Sequence, residues 1–276
     1  MRVTMQERQD GGEQARESQP MEKPSAEQLR RGRRQKFQSL MRSGLRSVPA
    51  IRNQAPTTSI KVVQVKEPDP PPVVPVVSIE EGSGMSQAER LQVIEQEVAG
   101  CQLCPELVKN RSQTVFGVGN PDARLCFMGE APGADEDIQG IPFVGRAGKL
   151  LTEIIEGCGM SRDDIYILNT LKCRPPGNRN PLPEEASHCA GFLARQLEVI
   201  NPEFICCLGA VAAQNLLETS ETIGRLRGRF HLLDGRQVLC TYHPAYLLRN
   251  PSAKRQVWED MQILLKEMGL PIPGKG

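Results

Sequence analysis

Four short apolar runs constrain this chain more than any other feature: residues 125–128 (Leu-Cys-Phe-Met), 165–168 (Ile-Tyr-Ile-Leu), 204–208 (Phe-Ile-Cys-Cys-Leu) and 238–241 (Val-Leu-Cys-Thr). Each is too short for a helix and too uniformly apolar for a strand with one solvated face, so each reads as a strand buried on both sides. Between them the apolar residues recur three and four apart. Ala147 to Cys158 turns Leu150, Leu151, Ile154 and Ile155 inward and stops at Gly159, Pro183 to Ile200 resumes the same period, and an Ala-rich stretch ends at Leu217. A helix capped by Ser86 and carrying Leu91, Ile94 and Val98 precedes the set, and one from Ser252 to Met268 closes it. Alternating strands and helices imply crossover connections, hence an α/β fold with a mostly parallel sheet covered on both faces.

In such sheets ligands gather where strands end. Three of the four runs lead into a polar residue and an irregular loop, at Glu130, Asn169 and His243. The first of these loops, Gly129-Glu130-Ala131-Pro132-Gly133 followed by Asp135, Glu136 and Asp137, reads as one wall of a pocket. It continues through small residues, with Phe143 isolated among them, to Arg146 and Gly148. Glu130 and the three acids admit water activation, metal binding or a merely solvated loop. Asn169 is either a strand-end turn former or an amide that reads a base edge, donor and acceptor side by side. His243, one of three histidines, is either structural or a group at the edge where chemistry sits; Phe143 is either core or a stacking platform. Residues 224–229 read as a basic turn.

The first third of the chain lacks this patterning. Up to about Ser86 there is no sustained apolar period, and the formal net charge of +1 conceals a segment from Arg30 to Lys66 with ten Lys or Arg and no acid. A proline-rich run follows, so residues 1–86 read as a disordered basic arm on a stiffer linker, residues 87–270 as one folded domain and 271–276 as a tail. The arm is either a solvated tail or a phosphate-attracting segment that also reaches replication or repair proteins. Nine cysteines at uneven spacing, without a signal-peptide core or an 18-residue apolar run, fit a cytoplasmic protein with metal-binding and buried thiols rather than a disulfide framework. Cys101 and Cys104 form a close pair, and Cys173 and Cys189 supply two more thiols. Four thiolates ligate zinc or an iron–sulfur cluster, and the wide second pair favours the cluster. Cys126, Cys158, Cys206, Cys207 and Cys240 lie in or beside apolar runs and read as core.

Gly-Glu-Ala-Pro-Gly at 129–133, Pro-Phe-Val-Gly-Arg-Ala-Gly at 142–148, Asn-Thr-Leu-Lys-Cys-Arg-Pro-Pro at 169–176 and His-Pro-Ala-Tyr-Leu-Leu-Arg at 243–249 together resemble the family 4 uracil-DNA glycosylases, the iron–sulfur branch of that superfamily. The resemblance covers about residues 88–268. It implies a three-layer αβα fold around a four-stranded parallel sheet and hydrolysis of the bond between deoxyribose and uracil, leaving an abasic site. It also implies a structural 4Fe–4S cluster on Cys101, Cys104, Cys173 and Cys189, and a monomer working on single- or double-stranded DNA near the nucleoid. On that reading Phe143 stacks on the extruded base and Asn169 reads its O4 and N3–H, with Gly129, Ala131 and Gly133 lining the pocket. His243 donates toward charge developing on O2. The best-known uracil glycosylases carry an aspartate at the position matching Ala131, which this chain lacks, so Glu130 inherits the water-positioning role. Arg146 reaches DNA phosphates, and Leu247, Leu248 or Arg249 wedges into the duplex.

A covalent-trapping branch of the superfamily uses a histidine in the loop after the asparagine motif. Here that loop, residues 175–181, has none, which favours turnover. Two further readings stand beside uracil excision: a non-catalytic iron–sulfur DNA-binding protein, and a glycosylase for other deaminated bases.

Overall fold

The structure, a computed structural model, describes residues 84–274; the expected arm, up to residue 83, lies outside them. The chain opens on α1 (Gln87–Ala99), whose cap is reciprocal: the Glu89 amide donates to Ser86 Oγ at 3.3 Å, and the Ser86 amide donates to Glu89 Oε2 at 2.7 Å. After α2 (Pro105–Asn110), β1 (Val118–Gly119) and β2 (Leu125–Gly129) come α3 (Ala134–Gln139), α4 (Arg146–Gly157) and β3 (Tyr166–Asn169). The chain continues through α5 (Pro183–Ile200), β4 (Phe204–Leu208), α6 (Ala210–Leu216), α7 (Ile223–Leu226), β5 (Phe230–Leu233), β6 (Arg236–Thr241), α8 (Pro244–Arg249) and α9 (Lys254–Glu267). None of the described helices is long and apolar enough to cross a membrane.

The strands form one sheet in the order β1-β3-β2-β4-β6-β5. The four predicted strands are its parallel centre, in register Gly129 with Asn169, Met128 with Cys207 and Leu208 with Thr241. Alternate residues feed two cores. Leu125, Phe127, Ile167, Cys206 and Leu239 meet α4 and α9 on one face, whereas Cys126, Met128, Leu168, Ile205 and Val238 meet α1, α5 and α6 on the other. This is the three-layer arrangement. Every strand residue of β2, β3 and β4 is buried, which is why those runs lack polar alternation. The five cysteines assigned to the core are all buried.

The expected four-stranded sheet is widened by antiparallel strands at both edges. One of them had a readable signal: Asp234 and Gly235, both at positive φ, form the two-residue turn that folds β5 back along β6. β1 has only two residues and no pattern to read. The acidic loop expected at 135–137 is instead the first turn of α3, where carboxylates face the positive end of the helix dipole. Asp137 there is 2% exposed and accepts the Ser112 amide with both oxygens, at 3.0 and 3.1 Å. Residues 224–226 of the expected basic turn instead belong to the single helical turn α7.

Candidate active site

Connections leave β2 and β4, which are neighbours, toward opposite edges of the sheet, so the strand order reverses between them. A crevice opens at such a point beyond the strand ends. There lies a cavity of about 430 Å³ lined by Glu130, Phe143, Asn169 and His243, with Ala131, Gly133 and Arg249 among its other walls.

Its floor depends on one missing atom. A Cβ at Gly129 would run into Asn169 Oδ1 and the tip of the Phe143 ring, so glycine lets the amide and the ring converge. Asn169 ends β3 at 2% exposure, and its Oδ1 is buried without a hydrogen-bond partner. A buried acceptor left without a donor is costly, and such an atom beside a cavity marks a position for a ligand's donor. The Lys172 ammonium donates to the Asn169 carbonyl at 2.8 Å, and the Thr170 and Leu171 amides donate to Gly129 and Glu130, fastening the loop after β3 to the loop after β2.

Phe143 is held at φ 56°, a left-handed conformation that its side chain does not favour. Its ring lies 5.6 Å from the His243 ring, tilted by 32°. Glu136, from α3, accepts the amides of Val144 and Gly145 at 2.9 and 3.0 Å and so fixes the chain just past Phe143. His243 caps α8: its Nδ1 accepts the Ala245 amide at 3.1 Å. The proton of the neutral ring therefore sits on Nε2, which remains a donor. Burial, reinforced by the positive charge of Arg249, pushes the His243 pKa down to about 4. Burial acts oppositely on Glu130 and raises its carboxyl above the usual range.

Of the residues expected at the site, Arg146 heads α4 but does not line the cavity, and Leu248 is 39% exposed on α8 outside it. Leu247 is a correction: it is fully buried among the α4 and α9 core residues and has no surface with which to wedge DNA. Helix α8 turns adjacent residues to different sides, which the Leu-Leu-Arg string alone did not resolve. Asn178, Arg179 and Tyr246 line the cavity without having been singled out. Asn178 and Arg179 sit in the irregular loop after β3, and nothing in its spacing says that it folds back over the pocket.

The four candidate ligand cysteines gather behind the Ala131 wall. Cys173 and Cys189 pack with Leu107 and Leu171, against Cys104 and Ala131. Burial first, then the charges of Cys189, Cys101 and Cys173, push the Cys104 thiol up to about 12. Arg111 bridges two of the segments: Nη1 donates to Cys173 Sγ at 3.0 Å and Nη2 to the Cys101 carbonyl at 2.9 Å. Among the described residues no three His, Cys, Asp or Glu stand in metal-holding geometry. The donor set nonetheless fits a thiolate-held group, because four clustered thiols repel one another once ionised and bound cationic iron or zinc removes that repulsion.

A three-layer αβα fold with a parallel sheet centre and a crevice at its strand ends defines a class, and the comparisons agree with it. A family model described as the Uracil DNA glycosylase superfamily matches residues 116–262. The chain is 45% identical over 181 residues to the Type-4 uracil-DNA glycosylase of Thermotoga maritima, covering 64% of this chain and 94% of that one. It is 46% identical over 182 residues to the Type-4 enzyme of Archaeoglobus fulgidus, covering 63% and 91%. A Type-5 uracil-DNA glycosylase of Thermus thermophilus is more distant, 31% identical over 185 residues, covering 54% and 84%. The chain belongs to the uracil-DNA glycosylase superfamily, in its type-4 group.

Proposed function

We propose that residues 87–270 form a monofunctional uracil-DNA glycosylase that extrudes uracil from DNA and hydrolyses its N-glycosidic bond, leaving an abasic site. The observation that carries this reading is Asn169, buried at the end of β3 with its Oδ1 unpartnered, in the wall of a cavity that Phe143 and His243 also line. Uracil offers an N3–H to that oxygen and an O4 to the Asn169 amide nitrogen. Cytosine presents an acceptor and a donor instead, so an amide fixed by its surroundings rejects it.

The Phe143 ring stacks on the extruded base, which compensates for part of the stacking lost from the duplex. As the glycosidic bond breaks, its electrons move onto the base and the sugar becomes cationic. His243 Nε2–H, neutral and already oriented by the Ala245 amide, donates to the charge growing on O2. Glu130 orients the attacking water and stabilises the cationic sugar. Backbone near Gly133, together with Arg146, Leu248 and Arg249, faces the DNA; single- and double-stranded substrates are both accepted.

Cys101, Cys104, Cys173 and Cys189 hold a 4Fe–4S cluster whose contribution is structural. These residues fasten the Cys101 segment, the loop after β3 and α5 together behind Ala131, and so brace the pocket wall. The freshly purified protein is expected to be coloured, with absorbance that disappears in Cys173→Ala; a colourless native protein holding zinc overturns the cluster assignment.

The function is tested with one uracil in labelled oligonucleotides, followed by alkali to break abasic sites. Scission that requires alkali is expected. Glu130→Gln should lower the single-turnover rate by about 10²-fold, the scale of a positioned acid–base group. Binding without uracil release by metal-replete protein removes the catalytic reading, whereas a full rate in Glu130→Gln removes only that residue's role.

A further inference from the structure

Phe143 is held from a place the sequence gives no reason to examine. Arg162 lies beyond the far end of α4, in the single 3-10 turn Arg162–Asp164. Its guanidinium reaches back, Nη2 donating to the Pro142 carbonyl at 2.7 Å and Nη1 to the Phe143 carbonyl at 3.0 Å. Nη1 also lies 3.4 Å from Thr152 Oγ1, whose hydroxyl donates to the Gly148 carbonyl. No carboxylate within 4 Å pairs with Arg162 among the described residues. Its fork is committed to two consecutive backbone oxygens.

That commitment matters because Phe143 does not hold its own conformation. A positive φ is unfavourable for an aromatic residue and persists only where the surroundings impose it. Three constraints do so. Glu136 takes the amides of Val144 and Gly145, Arg162 takes the carbonyls of Pro142 and Phe143, and the Phe143 carbonyl rests on Gly148, where a Cβ would collide with it. Glu136 approaches from α3 and Arg162 from the turn after α4, so a short segment is gripped by opposite charges on opposite polar groups. Loss of the arginine leaves two carbonyls short of a donor and frees the peptide that sets the ring's direction.

We infer that Arg162 is a positioning residue for the Phe143 ring, its guanidinium fork holding the backbone at 142–143 so that the ring meets the extruded base at the stacking face. This rests on the proposed role of Phe143 in uracil stacking and extends it to a residue that does not line the cavity. A lysine cannot replace the fork, because one ammonium is a compact point charge without the planar pair of donors that spans two carbonyls.

The test compares wild type, Arg162→Met, Arg162→Lys, Phe143→Ala and the Phe143→Ala/Arg162→Met double variant, all metal-replete. Two quantities are read: the dissociation constant for free uracil, and the single-turnover excision rate at saturating protein. Arg162→Met is expected to weaken uracil binding and slow excision each by about tenfold, within the range one stacked base contributes. Arg162→Lys should recover only part of that. In the Phe143→Ala background, the same Arg162 change should cost nothing further. Equal losses with and without the ring would show a general structural role and overturn the inference, as would wild-type values in Arg162→Met. If Arg162→Met does not fold, the Lys variant, made with and without Phe143→Ala, decides on the same criterion. Failure of the underlying function looks different: wild type then binds no uracil and excises none. Phe143→Ala with wild-type values overturns the stacking role and this inference together.

Discussion

Asn169→Ala is expected to slow single-turnover uracil excision by about 10²–10³-fold while leaving affinity for uracil-free DNA nearly unchanged. On the proposed reading the amide makes two hydrogen bonds to the base, each worth about 1–2 kcal/mol when buried, and truncation leaves both uracil groups without these partners. The same truncation should cost the fold little. Asn169 Oδ1 has no partner within the protein, and the contact that anchors this residue, from Lys172 Nζ, is made by the backbone carbonyl that alanine retains. A melting temperature within a few degrees of wild type, together with a collapsed rate, is therefore the expected signature. A lost rate with a lost fold would place Asn169 in the scaffold, and an unchanged rate would remove it as the base reader.

His243→Ala should cost about 10²–10³ in rate, the usual consequence of removing one donor to a developing oxyanion. Its pH behaviour separates a neutral donor from a cationic one. With the folded pKa near 4, the ring is uncharged throughout pH 5–8, so the rate advantage of wild type over His243→Ala should be flat there, with no inflection near 6.5. A rate advantage that falls as pH rises through about 6.5 would mean that imidazolium is the working form. Stability carries the same information with a defined sign. Between about pH 4 and 6.5 the unfolded chain binds a proton at His243 that the folded chain refuses, so unfolding becomes easier as pH falls. The His243 contribution is complete above about 6.5 and is lost progressively down to about 4. Its upper scale is on the order of 3 kcal/mol. Urea denaturation at stepped pH should show wild type losing stability over that interval relative to His243→Ala.

Particular elements show where sequence reasoning stops. Ile205 and Cys206 point to opposite faces of the sheet, and both faces are covered, so the run 204–208 announces a central strand without any long-range information. The Ser86 cap is likewise local, and the structure realises it, with Glu89 three residues on making it reciprocal. The acids at 135–137 read as part of a loop because a first helical turn and an exposed loop have the same composition. What separates them is the distant Ser112 amide that buries Asp137. Leu247 and Leu248 are identical in type and adjacent, and only the packing of α8 against α4 puts one in the core and the other at the surface.

The sequence by itself determined the parallel core, the helices that cover it, the five buried core thiols and the strand-end positions of Glu130, Asn169 and His243. Those follow from period, length and local breakers, interactions within a few residues that a linear string displays. Only the tertiary structure decided that Asn169 Oδ1 lacks a partner, that Asn178 and Arg179 return to the cavity, and that Arg162 grips the backbone of Phe143. Each depends on groups brought together across many residues by the closing of the sheet. Their hydrogen bonds and desolvation have no counterpart in any local pattern.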